Sequence, residues 1–196
     1  MDHFEVFGLP RRLGMDEADL QRRFYELSRR HHPDFHQGAP PDEQARSLET
    51  SARINAAYRT LREPIRRVEY LVRLEGGEEA TNGDGAKPKA PPGLLAEMFE
   101  IQEALQEARD GGLDETGRAV LQDERARLEV RYREVEARLR GPLSKAWDDA
   151  TGEERPGVLA ACRESLATRA YLRTVIDDLA HVLGEGQEPH VTHHRH

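Results

Sequence analysis

The sequence predicts an all-α protein, and three observations carry this prediction. Apolar residues recur at helical spacing along most of the 196 residues. The breaks in that pattern contain proline or glycine, and one Gly- and Pro-rich stretch divides it into two halves. We therefore expect four regions: an N-terminal antiparallel helical hairpin with two short helices at 1–76, a linker at 77–93, an antiparallel three-helix bundle at 94–184 and a disordered tail at 185–196.

The charge is distributed unevenly between the two halves. The chain is 34% charged and 37% hydrophobic, with a net charge of −8. The first 77 residues contain 13 basic and 13 acidic side chains, whereas the rest contains 16 and 24. A net acidic chain disfavours a broad nucleic-acid surface. An all-helical nucleic-acid-binding protein is kept only as an alternative that would use a local cluster of arginines.

Several classes of site are excluded by composition. A single cysteine, Cys162, permits no intrachain disulfide and no cysteine-based zinc site. The first residues lack a basic, apolar leader, and no run approaches the roughly 20 apolar residues of a membrane span, so we expect a cytoplasmic protein. No nucleophile–base pair or phosphate loop is evident, and we expect no enzymatic activity, cofactor or metal site. The histidines of the tail fit adventitious metal binding only.

The first long helix is predicted to begin at Asp16, which suits the N-cap position, and to end near residue 31, before Pro33. Its apolar face consists of Leu20, Phe24, Leu27 and His31. Four arginines lie elsewhere around the helix, opposed only by Glu26: Arg22, Arg23, Arg29 and Arg30. Such a cluster is either a solvated face or a contact for an acidic partner.

A loop from Pro33 to Pro41 leads into the second long helix, which tolerates proline in its first turn. Its predicted buried stripe is Leu48, Ser51, Ile54, Ala57, Tyr58 and Leu61. Pro64 separates it from a short helix that ends at Gly76-Gly77. Because the loop is short, the two long helices are expected to be antiparallel.

The second half begins with a helix whose stripe contains Leu94, Met98, Ile101 and Leu105. Phe99 lies roughly 130° from that stripe at about 100° per residue, so it belongs either to a wider core or to an apolar spot for a protein partner. Three further helical patterns follow: Leu113–Arg140, ended by Gly141-Pro142; a short one around Trp147; and Arg155–Leu183.

The first half resembles the J-domain of DnaJ-type co-chaperones. The tripeptide His32-Pro33-Asp34 lies in the loop between the long helices, as in that family, after a basic helix and before Ile54-Asn55-Ala56-Ala57-Tyr58-Arg59-Thr60-Leu61. The opening Phe4-Glu5-Val6-Phe7-Gly8-Leu9-Pro10 and the continuation Arg66-Arg67-Val68-Glu69-Tyr70-Leu71 look like one branch, HscB, the J-type co-chaperones of iron–sulfur cluster assembly.

This resemblance implies that the tripeptide stimulates ATP hydrolysis by a DnaK-type chaperone, HscA in this branch. The charges suit such a contact, because the arginines can attract an acidic partner and Asp34 can accept a charge-assisted hydrogen bond. The expected chaperone-binding residues are His32, Pro33, Asp34, Arg22, Arg23, Arg29 and Arg30.

The resemblance also implies that the first helix of the bundle binds IscU, the iron–sulfur scaffold protein. The expected scaffold-binding residues are Leu95, Ala96, Phe99, Glu100, Glu103, Glu107 and, from the last helix, Tyr171. Ala96 replaces a larger apolar residue of the branch, and Thr168, a further candidate, is polar where an aromatic residue is expected. A J-type co-chaperone for a different client is the alternative.

Overall fold

The computed structural model describes residues 1–36, 38–76, 99–103, 105–106 and 114–184, and all regular secondary structure in these ranges is helical. The first part contains α1 (His3–Val6), α2 (Glu17–Arg30), a 3-10 turn (Pro33–His36), α3 (Pro41–Leu61) and α4 (Pro64–Gly76). Then follow α5 (residues 99–103 and 105–106), α6 (Glu115–Arg138), a π turn (Leu139–Leu143), α7 (Ser144–Asp149) and α8 (Arg155–Val182). The predicted all-α class is confirmed.

The hairpin of α2 and α3 is held by a ring contact and by a hydrogen bond. The rings of Phe24 and Tyr58 stack with centroids 4.0 Å apart. The Ser47 hydroxyl donates to the carbonyl oxygen of His31 at 3.2 Å, which fixes the end of α2 against α3. Ser47 is buried, whereas Leu48 is 57% exposed. The predicted place of Leu48 in the buried stripe is therefore wrong, because a small hydroxyl residue occupies the close approach instead.

The described residues form two compact units that are discontinuous in sequence. The first unit combines α1–α4 with Ala137–Arg163, which includes the π turn and α7. The second combines α5 and α6 up to Glu136 with the part of α8 that begins at Glu164. The predicted boundaries at 76 and 94 divide the chain into consecutive segments, whereas each compact unit combines two separate segments. The boundaries stay a prediction. The linker 77–93 and the tail 185–196 lie outside the described residues.

In the first unit, α7 holds the loop between α1 and α2. The indole Nε1–H of Trp147 donates to the carbonyl oxygen of Arg11 at 3.0 Å. The Asp148 carboxylate accepts the N–H groups of Leu13 and Gly14, each at 2.7 Å. A Cβ atom at position 14 would lie 2.8 Å from Asp148 Oδ2, so a larger residue there would displace the carboxylate. The loop thus depends on residues more than 130 positions away.

The chain stays helical through Gly141-Pro142, where the sequence predicted a helix end. Leu139–Leu143 form a π turn with Pro142 inside it, and both terminal leucines are buried. A wider turn relieves the clash between a proline ring and the carbonyl of the preceding turn. The predicted break is therefore wrong, because α6 continues into α7 through the π turn.

The second unit is a bundle of α5, α6 and α8. The start of α6 lies beside the end of α8, where Arg118 Nη1 donates to the Leu183 carbonyl oxygen at 2.8 Å. The end of α6 lies beside the middle of α8, where Arg169 Nε donates to Glu136 at 2.9 Å. The two helices are therefore antiparallel, as predicted. Their shared core consists of Ile101, Leu105, Leu121, Leu128, Leu172, Val175, Leu179 and Leu183.

Candidate functional site

The first two predicted arginines of α2 form contacts within the first unit. Arg22 and Arg23 both pair with Asp19, in the second case with Nε 2.8 Å from Oδ2. Arg23 Nη1 also donates to the carbonyl oxygen of Phe7 at 2.9 Å, which joins α2 to the turn after α1. The prediction that only Glu26 opposes the arginines is wrong, because Asp19 is the partner. Much of the positive charge in the first half of α2 is thus compensated.

Arg29 and Arg30 differ from that pair. Both are exposed in the last turn of α2, and neither forms an ion pair with a residue that the structure describes. Cations are favoured at this position, because the carbonyl groups at the end of a helix carry partial negative charge. The available positive charge of α2 is therefore concentrated next to the tripeptide His32-Pro33-Asp34.

The tripeptide lies on an exposed turn with internal hydrogen bonds. The Asp34 N–H donates to His32 Nδ1 at 3.2 Å, and the Phe35 N–H donates to the His32 carbonyl oxygen at 3.1 Å. Asp34 Oδ2 lies 3.5 Å from the same Nδ1 atom. The side chains of His32 and Asp34 are both well exposed. Pro33 opens the 3-10 turn, and its ring restricts the backbone of the tripeptide.

One imidazole nitrogen joins His32 to Asp34, because Nδ1 accepts the Asp34 N–H and also lies close to Oδ2 of the same residue. Cys162, the only thiol of the chain, lies in α8, where burial raises its pKa against the opposing effect of Arg138. The turn presents an exposed imidazole and an exposed carboxylate side by side.

The second predicted surface is partly described. Phe99 is 67% exposed, and Glu100 and Glu103 are exposed on the same helix, while Ile101 and Leu105 are buried in the core. Phe99 is thus not part of a wider core. The predicted residues Leu95, Ala96 and Glu107 lie outside the described residues.

The two candidates on α8 face different surroundings. Tyr171 is partly buried and packs against the bundle core, and burial raises the pKa of its hydroxyl group. The Thr168 hydroxyl donates to the Glu164 carbonyl oxygen at 2.9 Å, one turn earlier in the helix. The Tyr171 side chain is therefore partly accessible to solvent, whereas the Thr168 hydroxyl forms a hydrogen bond within α8.

Two exposed aromatic residues near the tripeptide were missed by the sequence analysis. Phe35 is 71% exposed on the 3-10 turn, and Tyr25 is 61% exposed on α2. The sequence contained a signal for the exposure of Phe35, because an aromatic residue in a polar loop does not belong to the apolar face of any predicted helix. Tyr25 falls outside the apolar face of α2, next to Phe24, and that position could have been read as exposed.

The described residues contain neither a metal-binding cluster nor a membrane-spanning helix. Within the described ranges, no group of three or more His, Cys, Asp or Glu side chains could hold a metal ion. The histidines of the tail lie outside those ranges. In the same part of the chain, no helix has the length and apolar character that crossing a membrane requires.

Comparison with known proteins identifies the relatives of this chain. The DnaJ domain matches residues 2–70. A co-chaperone protein HscB homolog from Azoarcus sp. is 36% identical over 149 residues, covering 76% of this chain and 78% of the relative. A second, from Aromatoleum aromaticum, is 37% identical over 111 residues, covering 57% and 61%.

Solved structures agree in fold. Chaperone HscB from Vibrio cholerae has a TM-score of 0.58 at 25% identity, covering 94% of this chain and 99% of its own. Human co-chaperone protein HscB has a TM-score of 0.61 at 24% identity, covering 91% and 80%, and supports the fold alone. With the exposed tripeptide between two antiparallel helices and the relative matched over most of its length, this chain belongs to the HscB family of co-chaperones.

Proposed function

We propose that this protein stimulates the ATPase of a DnaK/HscA-type chaperone and delivers an IscU-type iron–sulfur scaffold protein to it during cluster assembly in the cytoplasm. It acts by contact and performs no chemistry of its own. The observation that carries the proposal is the exposed turn of His32-Pro33-Asp34, one residue after two arginines without an ion pair to a described residue. The membership of the HscB family supports the same activity.

The turn suits a trigger because it is ordered before the partner binds. Pro33 restricts the backbone, and the Ser47–His31 hydrogen bond fixes the end of α2, so little conformational entropy is lost on docking. Asp34 can then accept a charge-assisted hydrogen bond from an arginine of the chaperone. Arg29 and Arg30 attract an acidic surface and raise the rate of association. Arg22 and Arg23, already paired with Asp19, contribute less.

The scaffold is proposed to bind the exposed face of α5. Phe99 provides apolar area, and Glu100 and Glu103 provide acidic groups at its edge. Leu95, Ala96 and Glu107 extend the proposed surface, and Tyr171 contributes from α8. We further propose that the domain boundaries lie at 76 and 94, so that the trigger and the cargo surface belong to separate folded regions.

A His32→Gln variant is expected to stimulate hydrolysis no further than the basal rate of the chaperone. Glutamine cannot reproduce the imidazole ring or its Nδ1 contact with the Asp34 N–H. The measurement is steady-state ATPase of a DnaK/HscA-type chaperone, with and without scaffold protein. His181→Gln is the matched control, because His181 is exposed in the last turn of α8. This variant should stimulate hydrolysis as the wild type does. Full stimulation by His32→Gln would refute the proposed trigger.

A Phe99→Ala variant is expected to bind the scaffold protein about 10-fold to 100-fold more weakly, the range for removing one buried phenyl group. Binding is measured by titration of scaffold protein onto immobilised variant. Leu48→Ala is the control, because Leu48 is comparably exposed but lies on α3 in the first unit. Unchanged scaffold binding by Phe99→Ala would remove α5 from the interface. Absence of scaffold binding by the wild type would favour another client.

A further inference from the structure

Tyr25 and Phe35 have no evident role in the fold. Both side chains are large and mostly exposed, and neither belongs to the buried core of its unit. The other aromatic residues of the hairpin, Phe24 and Tyr58, stack against each other at 4.0 Å and do hold it together. Exposed aromatic side chains without a structural role are candidates for burial in a complex.

Both aromatic residues lie beside the groups that the proposed function uses. On α2, Tyr25 is three residues after Arg22 and four before Arg29, the two spacings that place side chains next to each other on a helix. The Phe35 ring lies edge-on to the imidazole of His32, with centroids 6.1 Å apart. The aromatic residues therefore precede and follow Arg29 and Arg30 along one continuous segment.

The conformations of these side chains are restricted before any partner binds. The Tyr25 ring contacts the Phe24 ring with centroids 5.6 Å apart, and its hydroxyl oxygen lies 3.4 Å from Gln21 Nε2. Phe35 is held by its own N–H bond to the His32 carbonyl oxygen and by the edge-on ring contact. Side chains ordered in this way lose less entropy on binding than free ones.

We propose that Tyr25 and Phe35 are aromatic anchors for an acidic surface with apolar clefts on the ATPase chaperone, and that they supply affinity while His32-Pro33-Asp34 supplies the trigger. The acidic character follows from Arg29 and Arg30, which are exposed and form no ion pair with a described residue. Aromatic residues next to arginine are the side chains enriched at energetically dominant positions of interfaces. This inference rests on the proposed function of the same turn.

Loss of an anchor and loss of the trigger are expected to change different kinetic parameters of the stimulated ATPase. An anchor buried throughout the complex stabilises the bound state before and during hydrolysis alike, so its loss raises the half-saturating concentration without lowering the maximal rate. Loss of the trigger lowers the maximal rate. If Phe35 served only to orient the ring of His32, its removal would lower the maximal rate as well.

The experiment titrates Tyr25→Ala and Phe35→Ala into a DnaK/HscA-type chaperone and measures both ATPase stimulation and direct binding. Each variant is expected to raise the half-saturating concentration and the Kd about 10-fold to 100-fold, with the maximal rate kept. The factor should be similar at low and high salt, because apolar burial is not screened, whereas the effect of Arg29→Gln should shrink as salt rises. Val120→Ala, comparably exposed on α6, should change neither quantity.

The outcomes distinguish this inference from the proposed function. Unchanged Kd values in both aromatic variants, with wild-type binding intact, would overturn the anchors alone. A lowered maximal rate at an unchanged half-saturating concentration in Phe35→Ala would also overturn its role as an anchor. Absence of wild-type binding would overturn the proposed function and the anchors together. In the His32→Gln background, where stimulation is lost, Tyr25→Ala should still weaken binding by the same factor, because the Tyr25 ring contacts Phe24 on α2.

Discussion

Replacing Trp147 with alanine is expected to lower the free energy of unfolding by about 3–5 kcal/mol, the range for truncating a buried large aromatic residue. Trp147 is only 2% exposed and is among the largest fully buried side chains. Its indole N–H donates to the Arg11 carbonyl oxygen, and the Arg155 guanidinium lies 5.1 Å from the ring centroid. Truncation therefore leaves a cavity and removes the donor that holds the loop after α1.

The measurement is urea denaturation followed by far-ultraviolet circular dichroism, since Trp147 is the only tryptophan and its fluorescence is lost with it. A Trp147→Phe variant separates the two contributions. It fills much of the cavity but leaves the Arg11 carbonyl oxygen without its donor, so a smaller loss of about 1–3 kcal/mol is expected. A loss below about 1 kcal/mol in Trp147→Ala would contradict the assigned role of the side chain in the first unit.

The helices were predictable from the sequence because their signals are local. The Asp16 side chain caps α2, accepting the Ala18 N–H at 2.9 Å, and Pro41 opens α3, both as predicted. The spacing of apolar residues gave a wrong prediction where contact with a neighbouring helix determines which side chain is buried. Ser47 is buried in place of Leu48 because its hydroxyl reaches the end of α2, a contact that no spacing rule contains.

The position of the tripeptide was predictable, and its electrostatic surroundings were predictable in part. The loop between the two long helices and the proline that ends the first of them are visible in the sequence, and the turn lies there. Asp19 pairs with Arg22 and Arg23 at the local spacings of three and four residues that the sequence already shows, whereas the contact of Arg23 with the Phe7 carbonyl oxygen forms only in the folded chain. The contact between Asp148 and the loop after α1 joins distant parts of the sequence and left no local signal.

That contact yields a prediction of similar size. Replacing Asp148 with asparagine is expected to lower the free energy of unfolding by about 2–4 kcal/mol, although the side chains have nearly the same shape. The carboxylate is buried and accepts the N–H of Leu13 on one oxygen and that of Gly14 on the other, each at 2.7 Å. Asparagine has one acceptor oxygen, so its NH₂ group would face one of the two N–H donors.

The lost charge adds to this effect through Arg67. Arg67 is buried, and its Nε donates to the Leu61 carbonyl oxygen at 2.7 Å, while its Nη2 lacks a hydrogen-bond partner among the described residues. Burial lowers the pKa of Arg67, and the negative charge of Asp148 opposes that shift, together with Glu17 and Glu63. Removing one of these charges leaves the buried guanidinium less compensated.

The neighbouring residue provides the control for this substitution. Asp149 pairs with Lys145 on the exposed side of α7, so Asp149→Asn should change the free energy of unfolding by less than about 1 kcal/mol. Equal stabilities of the two variants in urea denaturation would show that the two N–H bonds of Asp148 are not required.

Because Trp147 and Asp148 hold the same loop, a Trp147→Phe, Asp148→Asn double variant should lose less free energy of unfolding than the sum of the two single losses. After the contact of either residue is lost, the loop moves away from α7 and the remaining contact weakens. The second substitution then lowers the free energy of unfolding by a smaller amount.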